Sequence, residues 1–115
     1  MTRIACLVGV LAMSSPVWAA NTLTWQDNAT NETAYHIERG VAADVTGCPT
    51  ATFTQIATTG ANITTFVDSA VTEGTTYCYR VKASNPAGSS GYSNVAGRSV
   101  PFTIPAAPSG LQVGP

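Results

Sequence analysis

Tyr77-Cys78-Tyr79-Arg80-Val81-Lys82-Ala83 is the stretch that decides how this chain folds. Tyr77, Tyr79, Val81 and Ala83 fall at every second position, with Cys78, Arg80 and Lys82 between them. A repeat of two belongs to a β-strand, whose successive side chains point to opposite faces. One face, carrying the rings and Val81, is expected to meet a core. Glu73-Gly74 before this strand reads as a turn, and Asn85-Pro86-Ala87-Gly88-Ser89-Ser90-Gly91 after it reads as a turn-rich loop. Gly, Pro, Asn and Ser concentrate there because they tolerate or fix the backbone angles that turns require.

Moving outward, the same grammar repeats. Leu23-Thr24-Trp25 alternates, and the polar cluster Asp27 to Glu32 follows it as a turn. Tyr35-His36-Ile37-Glu38-Arg39 alternates as a half-buried strand. Gly40 to Thr52 reads as a loop, Phe53 to Thr58 as a short strand, and Thr64 to Val67 as another that ends at Asp68. Tyr92 to Arg98 is expected to be the last strand, and the prolines at 101, 105, 108 and 115 mark an extended tail from Val100 onward. No helical spacing is evident after residue 20. Short strands separated by turns, without helices, predict an all-β sandwich or barrel. Tyr77 favours the sandwich. It opens a strand just after a turn, six residues beyond Val71, as in a tyrosine corner whose phenol bonds to upstream backbone.

The whole chain has 115 residues, 10% of them charged, and a net charge of −1. That length suits one domain. The balance leaves no basic face for nucleic acid. The N-terminus reads as an export signal: Arg3, an uncharged apolar run from Ile4 to Met13, a break at Ser14-Ser15-Pro16, and small residues before cleavage after Ala19, with Ala20 as the alternative. The run is about half of the ~20 residues a membrane span needs, so no stable membrane anchor is expected. The expected organisation is therefore a signal peptide over 1–19, a domain over 20–100 and a Pro-rich tail over 101–115, in a secreted or periplasmic protein. Of the three cysteines, Cys6 leaves with the signal. In an oxidising compartment the remaining two, Cys48 and Cys78, can form only one internal bridge.

Taken together, these pieces resemble a fibronectin type III domain. Leu23-Thr24-Trp25 resembles its second strand, with Trp25 in the core. Tyr35 to Arg39 resembles the third. Thr65-Phe66-Val67-Asp68, then Val71, Gly74, Thr75 and Tyr77, resemble the fifth strand and the corner. Tyr79 to Asn85, Ala87 to Ser90 and Tyr92-Ser93 resemble the sixth strand and the approach to the seventh. The resemblance implies an immunoglobulin-like two-sheet sandwich with Trp25, Tyr35, Ile37, Phe66, Tyr77, Tyr79 and Val81 in its core. It also implies that the loop holding Cys48 and the strand start holding Cys78 lie at one end, on neighbouring strands.

The pattern departs from the family at one place. Only Ala20, Asn21 and Thr22 stand between the cleavage site and Leu23, so the N-terminal first strand is apparently lacking. Pro105 to Val113, with Leu111 and Val113 at spacing two, looks like such a strand at the other end of the chain. Three readings follow: the tail opens a further repeat of a tandem array, it fills the open site of its own domain, or it donates Leu111 and Val113 to the next molecule. A return in the usual direction within one molecule is strained. A nine-residue strand is about 30 Å long, and the residues from Ser99 to Pro105 span at most about 25 Å.

Catalytic chemistry finds little footing. His36 is the only histidine and alternates out of phase with Tyr35 and Ile37, as a solvated strand residue would. Asp27 or Asp68 could join it in a Ser-His-Asp arrangement, but no strained nucleophile turn is present. No metal-ligand set, phosphate loop or cofactor is expected. Asn28, Asn31 and Asn62 head glycosylation triplets that matter only in a glycosylating host. The expected function is a non-enzymatic module for protein or surface interaction, or for spacing, with the Pro86 to Tyr92 loop as contact surface. The alternatives are a subunit that polymerises head to tail and an accessory domain of an extracellular carbohydrate-active enzyme.

Overall fold

The structure is a computed structural model that describes residues 19–115; the expected export signal, with Cys6, lies outside them except for Ala19. The described residues form seven strands: β1 (Asn21–Thr24), β2 (Ala34–Ala42), β3 (Thr54–Gly60), β4 (Thr65–Asp68), β5 (Thr76–Asn85), β6 (Gly88–Ser89) and β7 (Ala96–Ser99). A 3₁₀ turn, Val45–Thr50, lies between β2 and β3. β1 and β4 form a two-stranded sheet, and the other sheet runs β3-β2-β5-β6, with β7 also on β5. All the pairings are antiparallel.

The expected alternation on β5 is realised. Tyr77, Tyr79 and Val81 turn inward and meet Tyr35 and Ile37 from β2, and all five are buried. Trp25 and Phe66 pack against this cluster but are only half-buried. Among the described residues the sheet that carries them has two strands, against five in the opposing sheet, and so leaves part of the opposing face uncovered. Trp25 still meets Tyr35 edge to face, with ring centroids 5.5 Å apart, a favoured arrangement of the ring quadrupoles. The Tyr77 hydroxyl accepts the Thr72 N–H at 2.9 Å, closing the corner one residue beyond Val71.

Three local expectations need correction. The segment Gly40 to Thr52 is not all loop: β2 continues to Ala42, and Asp44 then caps the 3₁₀ turn by accepting the Thr46 N–H at 2.9 Å. A capping carboxylate satisfies a backbone donor that the turn itself leaves free. The last strand does not begin at Tyr92 but at Ala96. Upstream of it, the hydroxyls of Ser93 and Ser90 accept the N–H groups of Val81 and Ala83 at 3.0 and 2.9 Å, taking over part of the ladder from backbone. Finally, Val100 is no linker residue. It is 3% exposed within the core, and its N–H donates to the Thr75 carbonyl at 2.9 Å.

The Cys48–Cys78 disulfide sits where glycines leave room for it. In register, Cys78 lies between Gly40 on β2 and Gly97 on β7. A Cβ at Gly97 would meet Cys48 Sγ at 2.7 Å, and one at Gly40 would meet the Thr52 carbonyl oxygen at 2.6 Å. Two side-chain-free neighbours let the 3₁₀ turn lie flat on the outer face of the sheet. The Cα atoms of the pair are 5.4 Å apart, an ordinary disulfide separation.

Candidate interaction surface

On β2 and β5 the outward positions bring polar residues into register: Glu38 opposes Arg80, and His36 opposes Lys82. Arg80 donates from Nε to Glu38 Oε1 at 2.8 Å, and Tyr92 donates its hydroxyl to Glu38 Oε2 at 2.9 Å. The Arg80 guanidinium lies 3.7 Å from the Tyr92 ring centroid and 4.3 Å from that of Phe53, with Lys82 Nζ 5.2 Å from Tyr92. Cations over ring faces are drawn to the negative side of the quadrupole. The result is a ladder of Phe53, Arg80, Tyr92 and Lys82 on the outer face of the larger sheet. Its anchor is Glu38, which is buried beneath it. Burial opposes the charge of Glu38, but the hydrogen bonds from Tyr92 and Arg80 and the charges of Arg80 and Lys82 outweigh it and hold the carboxyl below its ordinary value.

Tyr92 ends the loop expected to carry contacts, and it is exposed. Residues Pro86 to Gly91 are also exposed. Sequence reasoning found this loop but missed the ladder. The partners of Tyr92 come from β2, β5 and the approach to β3, and their convergence depends on strand register rather than on spacing along the chain.

The residues considered for catalysis do not converge. His36 Nε2 lies 2.7 Å from Ser84 Oγ, and its Nδ1 lies 3.4 Å from Thr58 Oγ1. It is half-buried and hydroxyl-bonded rather than freely solvated. The carboxylates that could orient its ring are engaged elsewhere: Asp27 accepts the Tyr35 hydroxyl at 2.6 Å, and Asp68 accepts from Arg39 and Tyr79. Among the described residues, no three His, Cys, Asp or Glu side chains gather as a metal site.

A second feature is the open side of the sandwich. The backbone N–H of Trp25 donates to the Thr64 carbonyl at 3.1 Å. Because antiparallel hydrogen bonding alternates, Leu23 and Asn21 also face β4, and the backbone groups of Thr22 and Thr24 face away from it. Among the described residues no strand pairs with that outer edge. A groove of about 1090 Å³ runs beside it, between β1 and the Ser90–Arg98 segment, over Tyr79 and Val81. Arg98 closes one end by donating to Asn21 Oδ1 at 2.6 Å and to the Ala20 carbonyl at 3.1 Å. The tail is held at its root, where Thr103 N–H donates to Glu73 Oε1 at 2.9 Å. Beyond that it has no regular structure, and Leu111 and Val113 are 92% and 91% exposed. The return of the tail onto its own domain is therefore not adopted.

Among the described residues no helix is long and apolar enough to cross a membrane. This fact and the disulfide are compatible with an extracellular location. No protein-family model matches the chain, and no curated protein matches it. Solved structures do. The sixth fibronectin type III domain of human fibronectin type III domain containing protein 3 is 21% identical with a TM-score of 0.57, over 79% of this chain and 81% of that one. The third fibronectin III domain of human KIAA0343 protein is 12% identical with a TM-score of 0.59, over 78% of each chain. The twitchin kinase region from C. elegans is 22% identical with a TM-score of 0.59, over 74% of this chain but only 14% of that much longer one. With two antiparallel sheets, a tyrosine corner and these structural neighbours, the chain has the fold of a fibronectin type III domain.

Proposed function

We propose that this chain is an extracellular, non-enzymatic interaction module that contacts a protein or surface partner through the ladder of Phe53, Arg80, Tyr92 and Lys82 and the adjoining Pro86–Tyr92 loop. The observation that carries this reading is the ladder itself. Arginine and tyrosine side chains are the types that dominate binding energy at interfaces, because each presents a large rigid surface with a polar handle. Here they are held in place by Glu38 before any partner arrives, which lowers the ordering cost of association.

The test is binding of the purified protein to an envelope fraction of the producing cells, read by interferometry. Tyr92→Ser and Lys82→Ser are expected to weaken binding at least about tenfold, with the β-sandwich circular dichroism retained. Binding that survives both substitutions overturns the ladder as the contact surface. Absence of binding by the unaltered protein assigns the domain to spacing.

A further inference from the structure

We propose that the open side of the sandwich is a strand-acceptor site, and that its occupant is the segment 105–113 of a second copy of this chain, added head to tail.

The acceptor has backbone and apolar components. Thr22 and Thr24 direct their backbone groups away from β4, toward an edge that no strand pairs with among the described residues. An added strand would take up these groups, as in other cases of strand addition at a sheet edge. The groove beside that edge is floored by Tyr79 and Val81, and Leu23 and Trp25 on its wall remain only half-buried. A strand that lies there needs apolar side chains at spacing two on its inner face.

The tail matches this requirement. Leu111 and Val113 stand at spacing two, are almost wholly exposed and have Gln112 between them for the solvent side. Pro105 and Pro108 lack an N–H, which suits the start of an edge strand rather than its middle.

Direction selects a second copy as the donor. The tail leaves the domain beside Glu73 and Gly74, where Gly74 N–H donates to the Val100 carbonyl at 2.7 Å. β1 begins near the same pole, since Asn21 pairs with Asp68 and binds Arg98. A tail doubling back on its own domain would therefore run parallel to β1. To run antiparallel it would first have to reach the opposite pole. β5 alone, with ten residues, is about 33 Å long, and the nine residues from Thr103 to Leu111 place their end Cα atoms about 29 Å apart at most. In a second molecule stacked on that exit pole, the same tail enters at the far end of β1 and runs antiparallel without reversing. The contact is heterologous, so each added copy leaves a new acceptor and a new donor.

The ladder lies on the outer face of the other sheet, but Tyr92, Arg80 and Lys82 also border the groove, so the ladder control is Phe53, which lies away from it. The experiment is light scattering on the purified protein between roughly 1 µM and 1 mM, with L111D/V113D alongside it and Phe53→Ser as a ladder control. Both tail residues are exposed, so the double variant is expected to keep the circular dichroism and thermal midpoint of the parent. The expected result is a mass that rises with concentration for the parent and for Phe53→Ser, and a monomer for L111D/V113D. A synthetic peptide of residues 105–113 is expected to bind the double variant and raise its thermal midpoint. A parent that stays monomeric over the range, assembly that persists in L111D/V113D, or a peptide that does not bind would each overturn the proposal.

Discussion

The hydroxyl of Tyr79, on β5, donates to Asp68 Oδ2, on β4, at 2.7 Å, and this bond joins the two sheets through the interior. Asn21 Nδ2 donates to the same phenol oxygen at 2.9 Å, and Arg39 Nη1 reaches Asp68 Oδ2 at 2.9 Å. Asn21 and Asp68 are each 3% exposed. A buried polar group is tolerated when its partners are supplied, and becomes costly when one is removed. The network thus fixes how the small sheet sits on the large one.

Asp68→Ala is expected to destabilise the fold by about 3 kcal/mol, because it leaves the Tyr79 hydroxyl without its acceptor and the Arg39 charge without its carboxylate partner. Tyr79→Phe keeps the ring and is expected to cost about 1–2 kcal/mol. Urea denaturation of the two variants checks the order.

Reducing the Cys48–Cys78 bridge releases a constraint on residues separated by 30 positions. The chain-entropy account gives a loss of about 3–4 kcal/mol. Denaturation curves with and without reductant measure it, and Cys48→Ser with Cys78→Ser should show the same loss and no further response to reductant.

Gly97→Ala tests the packing of that bridge. The new methyl would meet Cys48 Sγ at 2.7 Å, so β7 or the 3₁₀ turn must shift, at an expected cost of about 1–3 kcal/mol. The loss should shrink in the Cys48→Ser background, where the bridge no longer holds the sulfur in place. A double-mutant cycle reads the coupling.

Glu38 gives the fold an acid-side dependence. Its carboxyl is held below its ordinary value of 4.5. A depressed value means that the folded state prefers the charged form, so this stability is present above pH 4.5 and is lost as the pH falls through the folded value. The thermal midpoint should drop in that window for the parent and change less there for Glu38→Gln.

Tyr35 and Tyr79 give an alkaline counterpart. Burial, first, and then hydrogen bonding to Asp27 raise the phenol of Tyr35 above its ordinary 10.0; burial also raises Tyr79, with Asp68 adding to it and the Asn21 bond opposing it. The folded state prefers the neutral phenols, so their contribution is full below pH 10.0 and is lost as the pH climbs above it toward the raised values. Tyrosinate absorbance should show a late component that is reduced in Tyr35→Phe.

The period-two run from Tyr77 to Ala83, the turn before it and the upstream Val71 were enough to read a sandwich with a tyrosine corner. Each is a local pattern, and the alternation of a half-buried strand is written directly into residue order. The inward set Tyr35, Ile37, Tyr77, Tyr79 and Val81 followed from the same rule, and the Cys48–Cys78 pairing followed from cysteine usage and the resemblance. Tertiary structure alone decided the rest. Arg39 shares the inward parity of Tyr35 and Ile37, and only its arrival beside Asp68, 29 residues later, explains a cation there. The Asn21–Tyr79 bond joins residues 58 apart. Gly40 and Gly97 read as turn or strand-weakening residues until register sets them on either side of Cys78. Glu38 became an anchor, and Trp25 a half-open wall, for the same physical reason. Partner choice and burial depend on which strands lie side by side and which edge stays uncovered, and neither is encoded in the spacing of residues along one strand.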